Sequence, residues 1–338
     1  RKLIKVTEGI ANTCYADKEQ MDTILEDTEK QIFNIVQKRN AGEYEDMRQV
    51  VLRTLKNIEA AAKSQGRITG IATGFRDLDY KLSGLQKQAL VVLAARPAMG
   101  KTSFALNLAR NVAAVGKRKV LFFSLEMTKE QLAMRVLGTE ARVSSKKMRN
   151  GQISGEEWVK LGNATSALND CELYFDDTST ITVPEMKAKI RRLGGVECVI
   201  IDYLGLIKGS TRTENRVQEV SEITRGLKMM AKDLNIPIVC CAQLSRGTEG
   251  RGKSHKPQLA DLRESGSIEQ DADIVMMLYR PDYYKGEKED EDVPEQQANV
   301  NTVEVIVAKN RHGETGTVEF AWDGEHTLFL ALEKTYDD

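Results

Sequence analysis

No stretch of this sequence approaches the ~20 unbroken apolar residues that a membrane-crossing helix needs, although 41% of its 338 residues are hydrophobic, enough for a substantial core. It therefore predicts no membrane span. No signal-peptide pattern follows the first residue, Arg1, and the chain reads as a fragment of a longer protein whose upstream part is missing. No Cys-x-x-Cys spacing joins Cys14, Cys171, Cys198, Cys240 and Cys241. That excludes a zinc ribbon and a disulfide framework, and fits reduced thiols in a cytoplasmic protein. A formal net charge of −1 excludes a globally basic nucleic-acid binder, so any such function needs positive charge focused locally. There is no internal repeat and no coiled coil.

What is present falls into two textures. From Asp17 to Lys38 apolar residues recur at Met21, Ile24, Leu25, Ile32, Ile35 and Val36, a helical stripe that Asn40, Ala41 and Gly42 break. A second stripe runs through Met47, Val50, Val51, Leu55 and Ile58. This front is either an internal hairpin of two helices or a segment whose second helix docks on a neighbouring subunit. From Ile68 onward, short apolar runs alternate with helical stretches. The runs are Leu90–Ala94, Lys119–Leu125, Cys198–Ile201, Ile236–Ala242, Asp273–Leu278 and Thr302–Ala308. Continuous apolarity of this kind suits strands buried on both faces, and so predicts an α/β fold with a mostly parallel sheet covered by helices. Residues 285–297 are acidic and polar and read as a surface loop. The boundaries expected are a helical end of an upstream domain at 1–42, a linker with a docking helix at 43–67, and the α/β domain at 68–338.

The run from Leu90 to Thr102 reads as strand, loop and helix start, and ends Gly100-Lys101-Thr102. Those three residues are the tail of a Walker A loop, whose backbone N–H groups wrap phosphates at a helix N-terminus. Lys101 is placed to reach the β- and γ-phosphates, Thr102 to ligate Mg²⁺, and Gly100 to let the backbone come close. Arg96, Pro97, Ala98, Met99 and Ser103 complete the candidate ATP-binding loop. The strict pattern fails by one residue, because Ala95 stands where its first glycine belongs.

A second apolar strand ends in Asp202, the position of a Mg²⁺-holding carboxylate. The next residue is Tyr203, not Glu, so the base that orients the attacking water comes from elsewhere. Glu126, closing the run from Val120 to Leu125, is the candidate, because open α/β sheets bind ligands at the carboxyl edge of their strands. Gln243, ending a third strand, is a candidate sensor of the γ-phosphate. Lys309 and Arg311 lie two apart and share one side of an extended backbone, a clamp for a transferring phosphate. An arginine finger contributes ~10³–10⁵ in rate, and one acting in trans would place ATP between subunits.

After Gln243 the chain is Gly-rich and basic. From Arg246 to Arg263 five cations (Arg246, Arg251, Lys253, Lys256, Arg263) face Glu249 and Asp261. The run continues through Glu264 to Gly266. A shorter loop with Lys208, Arg212 and Arg216 follows the strand ending at Asp202. Neither loop is rich in aromatics, so base stacking is not the expected main term. Phosphate contacts from such loops would be sequence-tolerant and salt-sensitive. A solvated surface loop would also read this way.

Taken in order, five blocks resemble the RecA-like ATPase domain of the DnaB-type replicative helicases. They are Ala95–Thr102, Ser124–Met127, Ile201–Leu204, Gln243–Arg246 with Asp261–Gly266, and Lys309–Gly313. Thr73–Asp79 looks familial too, and Ala95 is how that family writes its loop. The resemblance covers about residue 68 to the end. It implies a homohexameric ring, ATP between subunits, Glu126 as base, and Lys309 and Arg311 reaching the neighbour's nucleotide. It further implies Arg263, Glu264 and Gly266 in the central channel, unwinding of DNA 5′ to 3′ along the threaded single strand, and primase and a loader protein as partners. A strand-exchange ATPase with the same core, a nucleotide-holding protein with little turnover, and a helicase acting on RNA are the alternatives.

Overall fold

A computed structural model describes residues 2–16, 28, 45–63, 68–209, 215–245, 255–285 and 302–332. The chain divides into two compact units, Arg1–Gly66 and Arg67–Asp338. In the first, α1 spans Lys2–Ala16 and α2 spans Met47–Lys63. The expected stripe of 17–38 lies outside the described residues, Thr28 apart. The second stripe does form a helix: Met47, Val51, Leu55 and Ile58 project from α2 and are exposed.

The second unit is built on one nine-stranded sheet. Its strands are β1 (Leu90–Ala95), β2 (Val120–Ser124), β3 (Leu173–Asp176), β4 (Cys198–Asp202), β5 (Ile238–Gln243), β6 (Ile274–Tyr279), β7 (Thr302–Asn310), β8 (Gly316–Asp323) and β9 (Leu328–Ala331). They lie side by side in the order β3-β2-β4-β5-β1-β6-β7-β8-β9. The first six pair parallel, and the last three join antiparallel. The apolar runs read from the sequence become β1, β2, β4, β5, β6 and β7. The last of these departs from the expectation of a strand apolar on both faces. In β7, Val303, Val305 and Val307 are buried while the residues between them are half-exposed. An antiparallel strand near a sheet margin needs only one covered face.

Every residue of β1 is buried, because each face of the sheet carries its own core. Val91, Leu93 and Ala95 pack with Phe104, Leu108 and Val112 of the helix that follows. Leu90, Val92 and Ala94 pack with Ile223, Leu227 and Met230 from the opposite side. The helices doing this are α4 (Lys101–Arg110, ending in the π turn Asn111–Val115) and α9 (Arg216–Leu234). Between them in sequence come α5 (Lys129–Ala141), α6 (Ser145–Asn150), α7 (Gly155–Leu168) and α8 (Val183–Leu193); α3 (Arg76–Leu82) precedes β1. Thr128 with Gln131 and Ser154 with Glu157 form reciprocal capping boxes that start α5 and α7.

Four phenylalanines brace the antiparallel end against α4. Phe104 stacks on Phe75 at 5.4 Å and meets Phe320 and Phe329 edge-on at 5.7 and 5.1 Å. Phe104 is fully buried, and its truncation to Ala in such a site costs about 3–5 kcal/mol.

Candidate nucleotide and DNA site

Ala95 is the last residue of β1, buried and in register with Gln243 and Leu278. It is not among the residues with positive φ, so no glycine is required there. The turn falls later. Ala98 (φ 64°) and Gly100 (φ 93°) are left-handed, and Gly100 caps α4. A Cβ on Gly100 would stand 3.2 Å from the Phe329 ring, so both conformation and space ask for glycine. Met99 is buried, Arg96 half-buried, and Pro97 and Ala98 exposed. Ser103 is buried in the first turn of α4.

Helix α4 then aims two side chains at the end of β4. Thr102 Oγ1 donates to Asp202 Oδ2 at 2.6 Å, and Lys101 Nζ stands 3.0 Å from Oδ1. The same ammonium lies 4.3 Å from the centre of the Tyr203 ring. Burial opposes charge on Lys101, yet the carboxylates Asp202 and Glu126 beside it favour the ammonium, and its pKa is raised. Lys101 therefore stays an ammonium, as a phosphate ligand must. Asp202 is 2% exposed, and its Oδ1, although at ion-pair distance from Lys101, takes no hydrogen bond. A buried carboxylate oxygen with spare acceptor capacity beside a threonine hydroxyl is a donor set of the hard-oxygen kind that Mg²⁺ takes.

Strand β2 is not a neighbour of β1, because β5 and β4 lie between them. Glu126 reaches the site through a turn held at both ends. Ser124 Oγ donates to the Met127 carbonyl (2.7 Å) and accepts from the Met127 N–H (3.1 Å), while the Leu125 N–H donates to the Asp202 carbonyl (2.8 Å). Glu126 projects from this turn, exposed, and close enough to act electrostatically on Lys101. Gln243 is exposed at the end of β5, and the Leu244 N–H donates to the Ala95 carbonyl (3.0 Å). Arg96 Nη1 donates to the Leu244 carbonyl (3.1 Å), tying the phosphate loop to the start of the basic loop.

One residue of the site carries no motif in the sequence. Arg135, nearly two turns into α5, is half-buried and faces the same carboxylates. Burial lowers its pKa, with Asp202 and Glu126 acting the other way. The capping box at Thr128 could have predicted α5, but nothing local sets Arg135 apart from Lys129, the other cation of that helix.

Lys309 and Arg311 are not brought to this site. The Arg311 N–H donates to the Asp273 carbonyl (2.9 Å), and the Leu90 N–H donates to Asp273 Oδ2 (2.8 Å). Arg311 therefore lies at the amino edge of β1, a six-residue strand away from Gly100, about 20 Å at 3.3 Å per residue.

The candidate DNA surface is described in part. Arg246 and the rest of 246–254 lie outside the described residues, as do 210–214 and 286–301. Residues 259–265 form a 3₁₀ turn that carries positions 263 and 264; the side chains of Arg263 and Glu264 are outside those described. Gly266 is exposed and opens α10 (Gly266–Asp271). Two cations counted in the basic loops are already engaged. Lys256 pairs with Glu304 at 2.5 Å, and Arg216 with Glu219 and the Gly205 carbonyl. A cleft of about 650 Å³ opens between the loops after β4 and β5, lined by Arg96, Tyr203, Gln243, Ser245 and Asp261 among others.

A phosphate loop on β1, a carboxylate on β4 and a polar sensor on β5, all on one edge of a sheet in this strand order, define a RecA-like P-loop ATPase domain. Residues 70–331 match the family described as DnaB-like helicase C terminal domain. The chain is 42% identical to the replicative DNA helicase DnaB of Geobacillus stearothermophilus, covering all of this chain and 73% of that protein. It is 44% identical, with the same coverage, to the replicative DNA helicase DnaC of Bacillus subtilis (strain 168). Among solved structures, one described as an ATPase domain superposes with a TM-score of 0.79 at 35% identity, covering 86% of this chain and all of that one. A DnaB-like replicative helicase described with its interactions with primase superposes at 0.80 and 32% identity, covering 98% and 76%. The chain belongs to the DnaB-like helicases, the ATP-dependent replicative DNA helicases. No described helix is long and apolar enough to cross a membrane.

Proposed function

We propose that this protein couples ATP hydrolysis to 5′–3′ translocation along single-stranded DNA and to duplex unwinding at the replication fork, as a homohexameric ring with its ATP sites between subunits. In each site Lys101 neutralises the β- and γ-phosphates, and the N–H groups of the 96–103 loop wrap them. Thr102 and Asp202 would hold Mg²⁺, which supplies charge neutralisation between the phosphates. Glu126 orients and deprotonates the attacking water, Arg135 adds a cation from the same subunit, and Gln243 reports the γ-phosphate to the basic loop.

The observation that carries the shared site is the separation of about 20 Å between Arg311 and the phosphate loop of its own chain. A finger at that edge serves a nucleotide held by another subunit. The exposed apolar face of α2 supports a docking helix, within boundaries of 1–42, 43–67 and 68–338. Arg246, Arg263, Glu264 and Gly266 form the DNA-tracking surface. Primase and a loader are the protein partners, and the compartment is the cytoplasm, which the scattered thiols fit.

The test is ATP turnover with and without single-stranded DNA across protein concentrations. Turnover that rises with both supports the proposal; turnover indifferent to both refutes the shared, DNA-driven site. Arg263→Ala is expected to weaken single-strand binding and reduce its log–log salt slope by about one, and unchanged affinity would reject the loop assignment.

A further inference from the structure

Asp273 is 3% exposed and immediately precedes β6. Its Oδ2 accepts from the Leu90 N–H (2.8 Å) and from Lys228 Nζ (2.6 Å), and its Oδ1 faces Arg311 Nη1 at 3.4 Å. A buried carboxylate needs such donors, but the distances divide them unequally. Leu90 and Lys228 hold it closely, while Arg311 stands at the long limit of a hydrogen bond. The second Arg311 amino group donates to the Gln270 carbonyl, and Lys309 Nζ donates to the Glu269 carbonyl. Both cations of the clamp thus end on carbonyls in the last turn of α10, groups that have no partner inside the helix.

The other end of α10 starts at Gly266, directly after the 3₁₀ turn bearing positions 263 and 264. Ile268 of α10 is buried in the core and lines the cleft at the carboxyl edge. Asp271 accepts from the Thr224 hydroxyl of α9 at 2.9 Å. The six-residue helix, about 9 Å long, therefore joins the turn bearing positions 263 and 264 to the two carbonyls on which Lys309 and Arg311 end. The β6–β7 pairing is irregular at Val275/Met276, beside this junction, where such irregularities redirect neighbouring side chains.

We propose that Asp273 is a positioning residue which, with α10, holds Lys309 and Arg311 in register with the DNA-facing turn of the same subunit. DNA on residues 263–266 of one subunit thereby sets where its two cations stand against the next subunit's nucleotide. This rests on the reading of Arg311 as a finger acting in trans.

The experiment compares ATP turnover, with and without a dT oligonucleotide, in the full chain and in Asp273→Asn, Lys228→Met and Arg311→Ala. Asp273→Asn keeps an acceptor for Leu90 but removes the charge facing Arg311. Its DNA-stimulated kcat is expected to fall tenfold or more, with KM for ATP and oligonucleotide affinity within twofold of the parent. Lys228→Met removes the other cation from the same carboxylate, and is expected to lower the melting temperature while keeping DNA stimulation. Asp273→Asn with full stimulation, alongside an Arg311→Ala that has lost turnover, overturns the proposal and leaves the finger intact. An Arg311→Ala with normal turnover removes the finger itself. Should Asp273→Asn not fold, Thr224→Val, which removes the hydrogen bond from α9 to Asp271 of α10, carries the test: lost stimulation supports the coupling and retained stimulation overturns it.

Discussion

The hydroxyl of Thr102 donates to Asp202 across 2.6 Å, joining the first turn of α4 to the end of β4. Two oxygens from distant parts of the chain are thus held at one point. Thr102→Val and Asp202→Asn are expected to raise the Mg²⁺ needed for half-maximal ATP turnover by about 10–100-fold. A Mg²⁺ titration of turnover checks this, and an unshifted curve for Asp202→Asn would move the metal elsewhere.

Glu126 projects from a turn fixed by Ser124 and by the Asp202 carbonyl, so replacing its carboxylate leaves that turn's hydrogen bonds intact. Glu126→Gln is expected to bind a fluorescent ATP analogue normally and to lose about 10²–10⁴ of turnover. Turnover at the parental rate would eliminate it as the base.

Mixed assemblies separate groups acting on their own nucleotide from groups acting on a neighbour's. Subunits bearing Lys101→Ala and subunits bearing Arg311→Ala, each inactive alone, should regain turnover on mixing, because one kind of interface joins an intact phosphate loop to an intact finger. Lys101→Ala mixed with Arg135→Ala should not recover, since both residues face the same carboxylate within one chain. Recovery in the second mixture would place Arg135 on the neighbour's site.

Burial pushes the thiols of Cys198 and Cys240 up to about 12, and that of Cys241 well above its ordinary value of 9.0. Between about pH 9 and 12 the folded chain keeps protons that the unfolded chain releases, so these thiols withdraw stability as pH rises through that window. The urea midpoint is expected to fall from pH 8 to pH 10, and less steeply when all three are replaced by Ala. Alkylation of the folded protein should modify the exposed Cys14 and spare these three until unfolding.

Three residues of the site that could be read in advance, apart from the phosphate-loop motif, share one property: an apolar run ends at a polar residue. Asp202 and Gln243 terminate runs buried on both faces, and Glu126 stands just beyond another. A parallel sheet collects such ends at one edge whatever the strand order. The order itself, which puts β5 and β4 between β1 and β2, leaves no local trace. Strand β3 gives no clear run because its four residues are only half-buried or exposed, and β8 alternates weakly. Arg135 and Asp273 are illegible for a different reason. A cation on a helix and a carboxylate before a strand are ordinary surface chemistry until the fold brings one into the field of Glu126 and the other to Arg311.

The strand that carries the phosphate loop is made long before its sheet neighbours. Leu90 pairs with Ile238 and Val91 with Ile274. At about 5–20 residues per second, roughly 7–30 s of translation separate Leu90 from its first partner strand. Throughout that interval six residues destined for complete burial emerge from the ribosome with no ladder to join. During synthesis this segment therefore stays an apolar stretch without its sheet partners until β5 has been made.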